Sequence, residues 1–269
     1  MGASQMAQRI RVLITVTAYP QLSEKYKETV CVAGIRMDTR RPQHVRLFPV
    51  PFRDLERAKQ FEKYDIVEVD ATGHVGDSRP ESLRPNLGTL ERVGHIHPGR
   101  DWKERSGWVA PLVAPSLCEI KRRQQTDGTS LGVFRPERVT RFRLEPASER
   151  PAGLEAMASQ LNLFDPQRKR LEALPYRFSY SFTCRDDACR GHQMGLIDWE
   201  VSAAYLSWRG RYSAEELPKR MHQKWFEEIC SPMRDTHFFV GNVHQYPKTF
   251  MLLRVFYPPK GVVGQEALF

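Results

Sequence analysis

Cys184, Cys189 and His192 form C-x4-C-x2-H within nine residues. Two thiolates and an imidazole so close together suit zinc, which takes four nitrogen or sulfur ligands tetrahedrally. The residues between them (Arg185, Asp186, Asp187, Arg190 and Gly191) are polar or small. Free cysteines usually sit among apolar neighbours, so this loop reads as a ligand loop. A fourth ligand must come from elsewhere in the chain: Cys230, His237, His244 or His222 could supply it. Cys230, the remaining thiol of the same unit, is the first choice. Just downstream, Asp198 and Glu200 flank Trp199. With His192 or His237 these carboxylates could hold a catalytic Mg²⁺ or Mn²⁺. Acids at a helix start are also what the helix dipole favours.

Glu119 and Lys121 form E-x-K. The tripeptide resembles one element of a large nuclease superfamily, with Asp65 or Asp70 as the upstream acid. So short a match is also what a solvated strand end gives. The chain contains neither a glycine-rich phosphate loop nor a G-x-S-x-G elbow, which argues against a P-loop NTPase and an α/β-hydrolase.

The elements that must carry these residues are legible from hydrophobic pattern. Ile10–Ala18, Thr29–Ile35, His44–Val50 and Asp65–Ala71 are rich in Val, Ile and Thr and read as strands. Phe52–Tyr64 has Leu55, Phe61 and Tyr64 at helical spacing and reads as a short helix. Residues 73–115 are rich in Gly, Pro, Arg and Ser and read as a long excursion. Strands resume at Pro115–Lys121 and Glu137–Leu144. In the second half Tyr176, Phe178, Tyr180 and Phe182 alternate with polar residues in one strand. Helices follow around Trp199–Trp208 and Pro218–Cys230, then a hairpin over Thr236–Val243 and Thr249–Tyr257. The expected fold is α+β. A β-rich, barrel-like N-terminal unit (OB/SH3-like, 1–145) precedes a linker (146–171), a smaller mixed α/β unit with the Cys/His loop (172–259) and a tail (260–269). The order helix–helix–hairpin also allows a winged helix-turn-helix, with Lys219, Arg220, His222, Gln223 and Lys224 on its second helix.

The formal charge is +9, of which residues 1–150 carry +7 and residues 151–269 carry +2. A basic half suggests a polyanionic partner, and nucleic acid is the usual one. Candidate phosphate contacts are Arg40, Arg41, Arg46, the run Lys121-Arg122-Arg123, and Arg141 and Arg143, which alternation puts on one strand face. Five widely spread cysteines do not suggest a disulfide framework. No stretch has the length of a membrane span and no signal peptide is legible, so the expected location is the cytoplasm.

Two short peptides name a partner. Gln160-Leu161-Asn162-Leu163-Phe164 and Gln265-Glu266-Ala267-Leu268-Phe269 share a leading glutamine and a final Leu-Phe. They resemble the Q-L-x-L-F and Q-x-x-L-F peptides by which bacterial proteins dock on the DNA polymerase sliding clamp. The resemblance implies that Gln160 and Gln265 fix register, while Leu161, Leu163, Phe164, Leu268 and Phe269 fill an apolar pocket. It covers ten residues and says nothing of fold.

The sequence thus points to a DNA-binding accessory protein recruited by the sliding clamp to replication or repair sites, with a structural zinc. One alternative is a metal-dependent nuclease in repair or defence against foreign DNA, using Mg²⁺ or Mn²⁺ with Asp198 and Glu200, or Glu119 and Lys121. Another is a single-stranded RNA-binding protein that stacks bases on its aromatic strand.

Overall fold

The computed structural model describes residues 6–263 except 20, 24–26, 74–75, 100–101, 148–171 and 173. Both clamp-type peptides, 160–164 and 265–269, lie outside the described residues.

The first unit is a closed barrel. Its strands are β1 (Gln8–Thr17), β2 (Gln21–Ser23), β3 (Lys27–Arg36), β4 (Gln43–Val50), β5 (Asp65–Gly73) and β6 (Ser82–His95). The pairing order β1-β5-β6-β4-β3 closes through β1–β3, with β2 on the edge of β3. All these pairings are antiparallel except β4–β6, which is parallel. This is the strand order of an OB barrel, in agreement with the sequence. Alternation explains its core: Ile10, Val12, Ile14, Val32, Val45, Leu47, Val67 and Val69 point inward and are buried together.

The second unit is a seven-stranded sheet flanked by helices. Its strands are β7 (Val113–Ala114), β8 (Leu131–Phe134), β9 (Arg138–Pro146), β10 (Tyr176–Thr183), β11 (His192–Leu196), β12 (His237–Val243) and β13 (Tyr246–Phe256). They lie in the order β7-β8-β12-β13-β11-β10-β9. Helices α1 (Lys103–Val109), α2 (Leu117–Asp127), α3 (Trp199–Trp208) and α4 (Glu216–His222), the last continued by a π turn over Gln223–Glu228, complete it.

The two units share a core. Leu13, Val16, Ala33 and Ile35 on the outer barrel face pack against Leu131, Val133, Phe239 and Leu253 of the second sheet. The opposite sheet face carries Phe134, Phe178, Tyr180, Phe182 and Phe238, buried with Leu117, Ile120, Tyr205 and Trp225 from the helices. Gly132 allows α2 to approach closely, since a Cβ there would lie 2.6 Å from Ile120 Cδ1.

Several sequence expectations change. Pro115–Lys121 is not a strand: Ser116 caps α2 by accepting from the Glu119 amide, and Gly128 at φ 79° ends it. Phe52–Tyr64 holds only two 3-10 turns, neither with a side-chain cap, because its apolar residues are used singly as plugs. The 73–115 excursion contains the fourteen-residue β6 and helix α1. Bulges opposite β5, with Pro85, Gly88 and Gly94, obscure the alternation of β6. The strand expected over Glu137–Leu144 to close the first unit is β9 of the second sheet instead, and β8, which the sequence reading did not anticipate, lies in that sheet too. The hairpin β12–β13 occupies the middle of that sheet, so it is not the wing of a winged helix. No helix among the described residues is long and apolar enough to cross a membrane.

Candidate metal centre and the pocket between the units

The Cys/His loop leaves β10 and returns in β11. Cys184 lies just past β10, Cys189 in the turn, and His192 opens β11. The fourth member is Cys118 on the first turn of α2; the four potential ligand atoms lie within 4.8 Å of one another. Cys118 Sγ and Cys189 Sγ are each 3.4 Å from His192 Nε2. Tetrahedral zinc with ordinary bond lengths would separate sulfur from nitrogen by about 3.5 Å and sulfur from sulfur by about 3.8 Å. The residues therefore fit a Cys3His metal site.

The surrounding hydrogen bonds suit thiolate ligands. Cys189 Sγ accepts from the amides of Cys184 (3.2 Å) and Gly191 (3.4 Å). Burial pushes the Cys189 thiol up, but these amides together with the neighbouring Cys118 and Cys184 side chains hold it below its ordinary value. Burial raises Cys184 to about 12 in the absence of a cation, and it lowers the His192 imidazole, favouring the neutral ring a metal needs. Asp186 docks the loop on α2 by accepting from Ser116 Oγ (3.2 Å) and Arg122 Nη2 (2.7 Å).

Cys230 is not part of this site. It lies beside Tyr180, donates to the Trp225 carbonyl at 3.7 Å, and is raised to about 12 by burial. The three histidines are remote from it too: His237 bonds the Asp235 carbonyl, His222 faces Glu227, and His244 faces Asp77. A signal for Cys118 was present in the sequence. Ser116-Leu117-Cys118-Glu119 is a capping box, which places Cys118 on a helix start rather than in a strand.

The nuclease candidates occupy other roles. Glu119 sits on α2 and accepts from Arg122 and Arg123, and Lys121 follows it on the helix instead of a strand. Asp198 is the fully buried N-cap of α3, accepting from the Glu200 amide. Lys63 bonds Asp198 and lies 3.1 Å from Glu200. Burial pushes Lys63 down and Asp198 up, each opposed by the other's charge. Among the described residues, the Cys3His cluster is the group placed to hold a metal.

The basic residues divide by environment. Arg40 and Arg41 are exposed on the β3–β4 turn. Arg141 is exposed on the edge strand β9, while Arg143 is half-buried and shared with Glu145 and Gln193. A bulge near Thr140 turns Val139 inward, so Arg141 and Arg143 keep one outer face without it. Arg122 and Arg123 are engaged with Asp186 and Glu119. Arg46 is no surface contact: it is 1% exposed and donates to Ser82 Oγ, Ser130 Oγ and the Ser130 carbonyl. Between the inward Val45 and Leu47 it points out of the barrel, but outward there means into the second unit. Phe178, Tyr180 and Phe182 are buried likewise, and half-buried Tyr176 packs on Tyr205, so this aromatic face belongs to the core.

A cavity of about 680 Å³ opens between the units. It is lined by Phe52, Trp102, Trp199 and Tyr257, and by Lys63, Tyr64, Arg105, Glu200 and Arg254. Residues spread from 17 to 257 build it, and none was singled out from sequence for this role; Glu200 was named only as a candidate metal ligand.

Residues 113–269 match the family described as Domain of unknown function (DUF8757). The chain belongs to the DUF8757 family. Residues 8–111 match a second one, Domain of unknown function (DUF8758), so the family boundary falls between barrel and sheet. None of the curated proteins matches the chain. Among solved structures, a murine DNA-binding protein bound with double-stranded DNA is similar at 11% identity and TM-score 0.32, covering 93% of this chain and 94% of that one. The tetrameric p202 HIN2 domain (10%, TM-score 0.31, covering 96% and 95%) and the p204 HINb domain (9%, TM-score 0.30, covering 95% and 97%) are similar to the same degree. These likenesses are loose, and the strand order itself defines the barrel.

Proposed function

We propose that this DUF8757 protein is a nucleic-acid-binding accessory factor held at DNA by the sliding clamp, with zinc as the structural ion of its Cys3His site. The observation that carries the reading is the pair of glutamine-to-phenylalanine peptides on one basic chain, at 160–164 and 265–269. Two such peptides on a ring with several pockets raise affinity through effective concentration. An OB-type barrel beside exposed arginines supports the nucleic-acid part.

On this reading, nucleic acid would lie away from the usual OB face. OB barrels commonly bind along strands equivalent to β3 and β4 and the adjoining loops. Here Ala33, Ile35 and Arg46 of that face are buried against the second unit, and Arg79 of the β5–β6 loop donates to the Asn242 carbonyl at 3.0 Å. We therefore assign the contact surface to the exposed arginines of the β3–β4 turn and the β9 edge. Binding of labelled DNA, measured across a salt series, tests this. Affinity that does not fall with salt would sink it.

A further inference from the structure

The pocket between the units is charged in a way the fold alone does not explain. Arg105 and Arg254 are 7% and 2% exposed and have no carboxylate within ion-pair distance among the described residues. Their guanidinium carbons stack over the ring of Tyr64, at 3.5 Å and 4.4 Å from its centroid. Lys63, also in the lining, is shared by Asp198 and Glu200. Glu62 also lines the pocket but is exposed to water. The buried guanidinium groups of Arg105 and Arg254 are therefore left to face the one carboxylate pair already shared by Lys63, and buried positive charge of this kind calls for an anion. Tyr64 Oη and Arg254 Nε are buried without hydrogen-bond partners.

The walls are aromatic. Phe52 and Trp199 meet at 6.1 Å, and Trp102 and Tyr257 at 5.2 Å. Tyr64 (φ 70°) and Trp102 (φ 61°) are the two non-glycine residues with left-handed backbone among the described residues, and both line this pocket. Such conformations are unfavourable for bulky side chains and cluster where a ligand is held. The volume suits one small ligand.

We propose that this pocket binds one nucleotide unit, its base against the aromatic walls and its phosphate on Arg105, Arg254 and Lys63. Glu200, half-exposed at the rim, accepts from the exocyclic amine of the base and so disfavours thymine, which has none. The unit is either a free mononucleotide or one nucleotide of a single strand. This deepens the nucleic-acid reading by adding a site for one base, separate from the surface arginines.

The test is a tryptophan-fluorescence titration of the full chain with dGMP, dAMP, dCMP and dTMP, the matching nucleosides, inorganic phosphate, and a short single-stranded deoxyoligonucleotide. Saturable binding of amino-bearing mononucleotides or of the strand is expected, about ten-fold or more tighter than nucleoside or phosphate alone. Arg105→Met should weaken it about ten-fold or more. Glu200→Gln, at a half-exposed position that leaves the fold intact, should narrow the gap between dTMP and the others. Mononucleotide binding as tight as strand binding identifies the free nucleotide; strand binding alone identifies the polymer. No saturable binding of either, phosphate alone binding as tightly as nucleotide, or a folded Arg105→Met or Glu200→Gln that behaves as wild type would each overturn the proposal. Duplex binding that persists when the pocket binds nothing would leave the surface reading standing.

Discussion

Replacing Cys118 by serine removes the metal ligand that comes from outside the Cys184–His192 loop. With a metal in place, Cys118 and Cys184 form the ends of a chain segment of about 66 residues, a clip comparable to a cross-link. The loop-entropy relation gives about 4 kcal/mol for a closure of that length at 25 °C. For a chain of this size that corresponds to a fall in Tm of about 8 °C. Cys118→Ser should therefore lose bound zinc, measured by elemental analysis of purified protein, and melt about 8 °C lower by calorimetry. A chelator should lower the wild-type Tm similarly and leave the variant nearly unmoved. Cys230→Ser, whose thiol faces the Trp225 carbonyl, should keep its zinc. If Cys118→Ser retains a full complement of metal while Cys230→Ser loses it, the assignment of the fourth ligand is wrong.

Arg46→Met removes a buried guanidinium from Ser82 and Ser130 and should destabilise the fold by about 1–3 kcal/mol in urea unfolding, a loss of stability rather than of a DNA contact. His44, with Nε2 buried and unpartnered, has its pKa lowered by burial to about 4. The folded state then binds fewer protons than the unfolded one between pH 6.5 and 4, so stability is full above pH 6.5 and falls by at most about 3 kcal/mol as pH drops to 4. His44→Phe should flatten that part of the urea-midpoint profile. Arg138→Ala with Arg141→Ala, on the exposed edge strand, should leave Tm within about 1 °C. The same pair should reduce the slope of log affinity against log salt by about 2 if both touch phosphate.

The barrel was readable because its strands follow the period-two pattern: Ile10, Val12 and Ile14 inward, Arg9 and Arg11 outward to Glu68, Asp70 and Glu91. Strand β6 was not, because bulges and a proline break that pattern. The metal loop was readable from ligand types packed into nine residues. Its partner Cys118 was hidden by reading a capped helix as a strand. Arg46 shows a different limit. Alternation tells which side of a strand a residue takes, but not whether that side meets water or another sheet. The pocket was illegible for a third reason. Lys63, Trp102, Arg105 and Arg254 have no local spacing in common and meet only through the packing of β13 and α1 against the barrel.

Under the proposed function, the two peptides bring this protein to the sliding clamp. Immobilised clamp should capture the wild-type chain, lose about ten-fold or more in affinity with either Phe164→Ala or Phe269→Ala, and fail to hold the double variant. Capture of the double variant with wild-type affinity would rule out docking through these peptides.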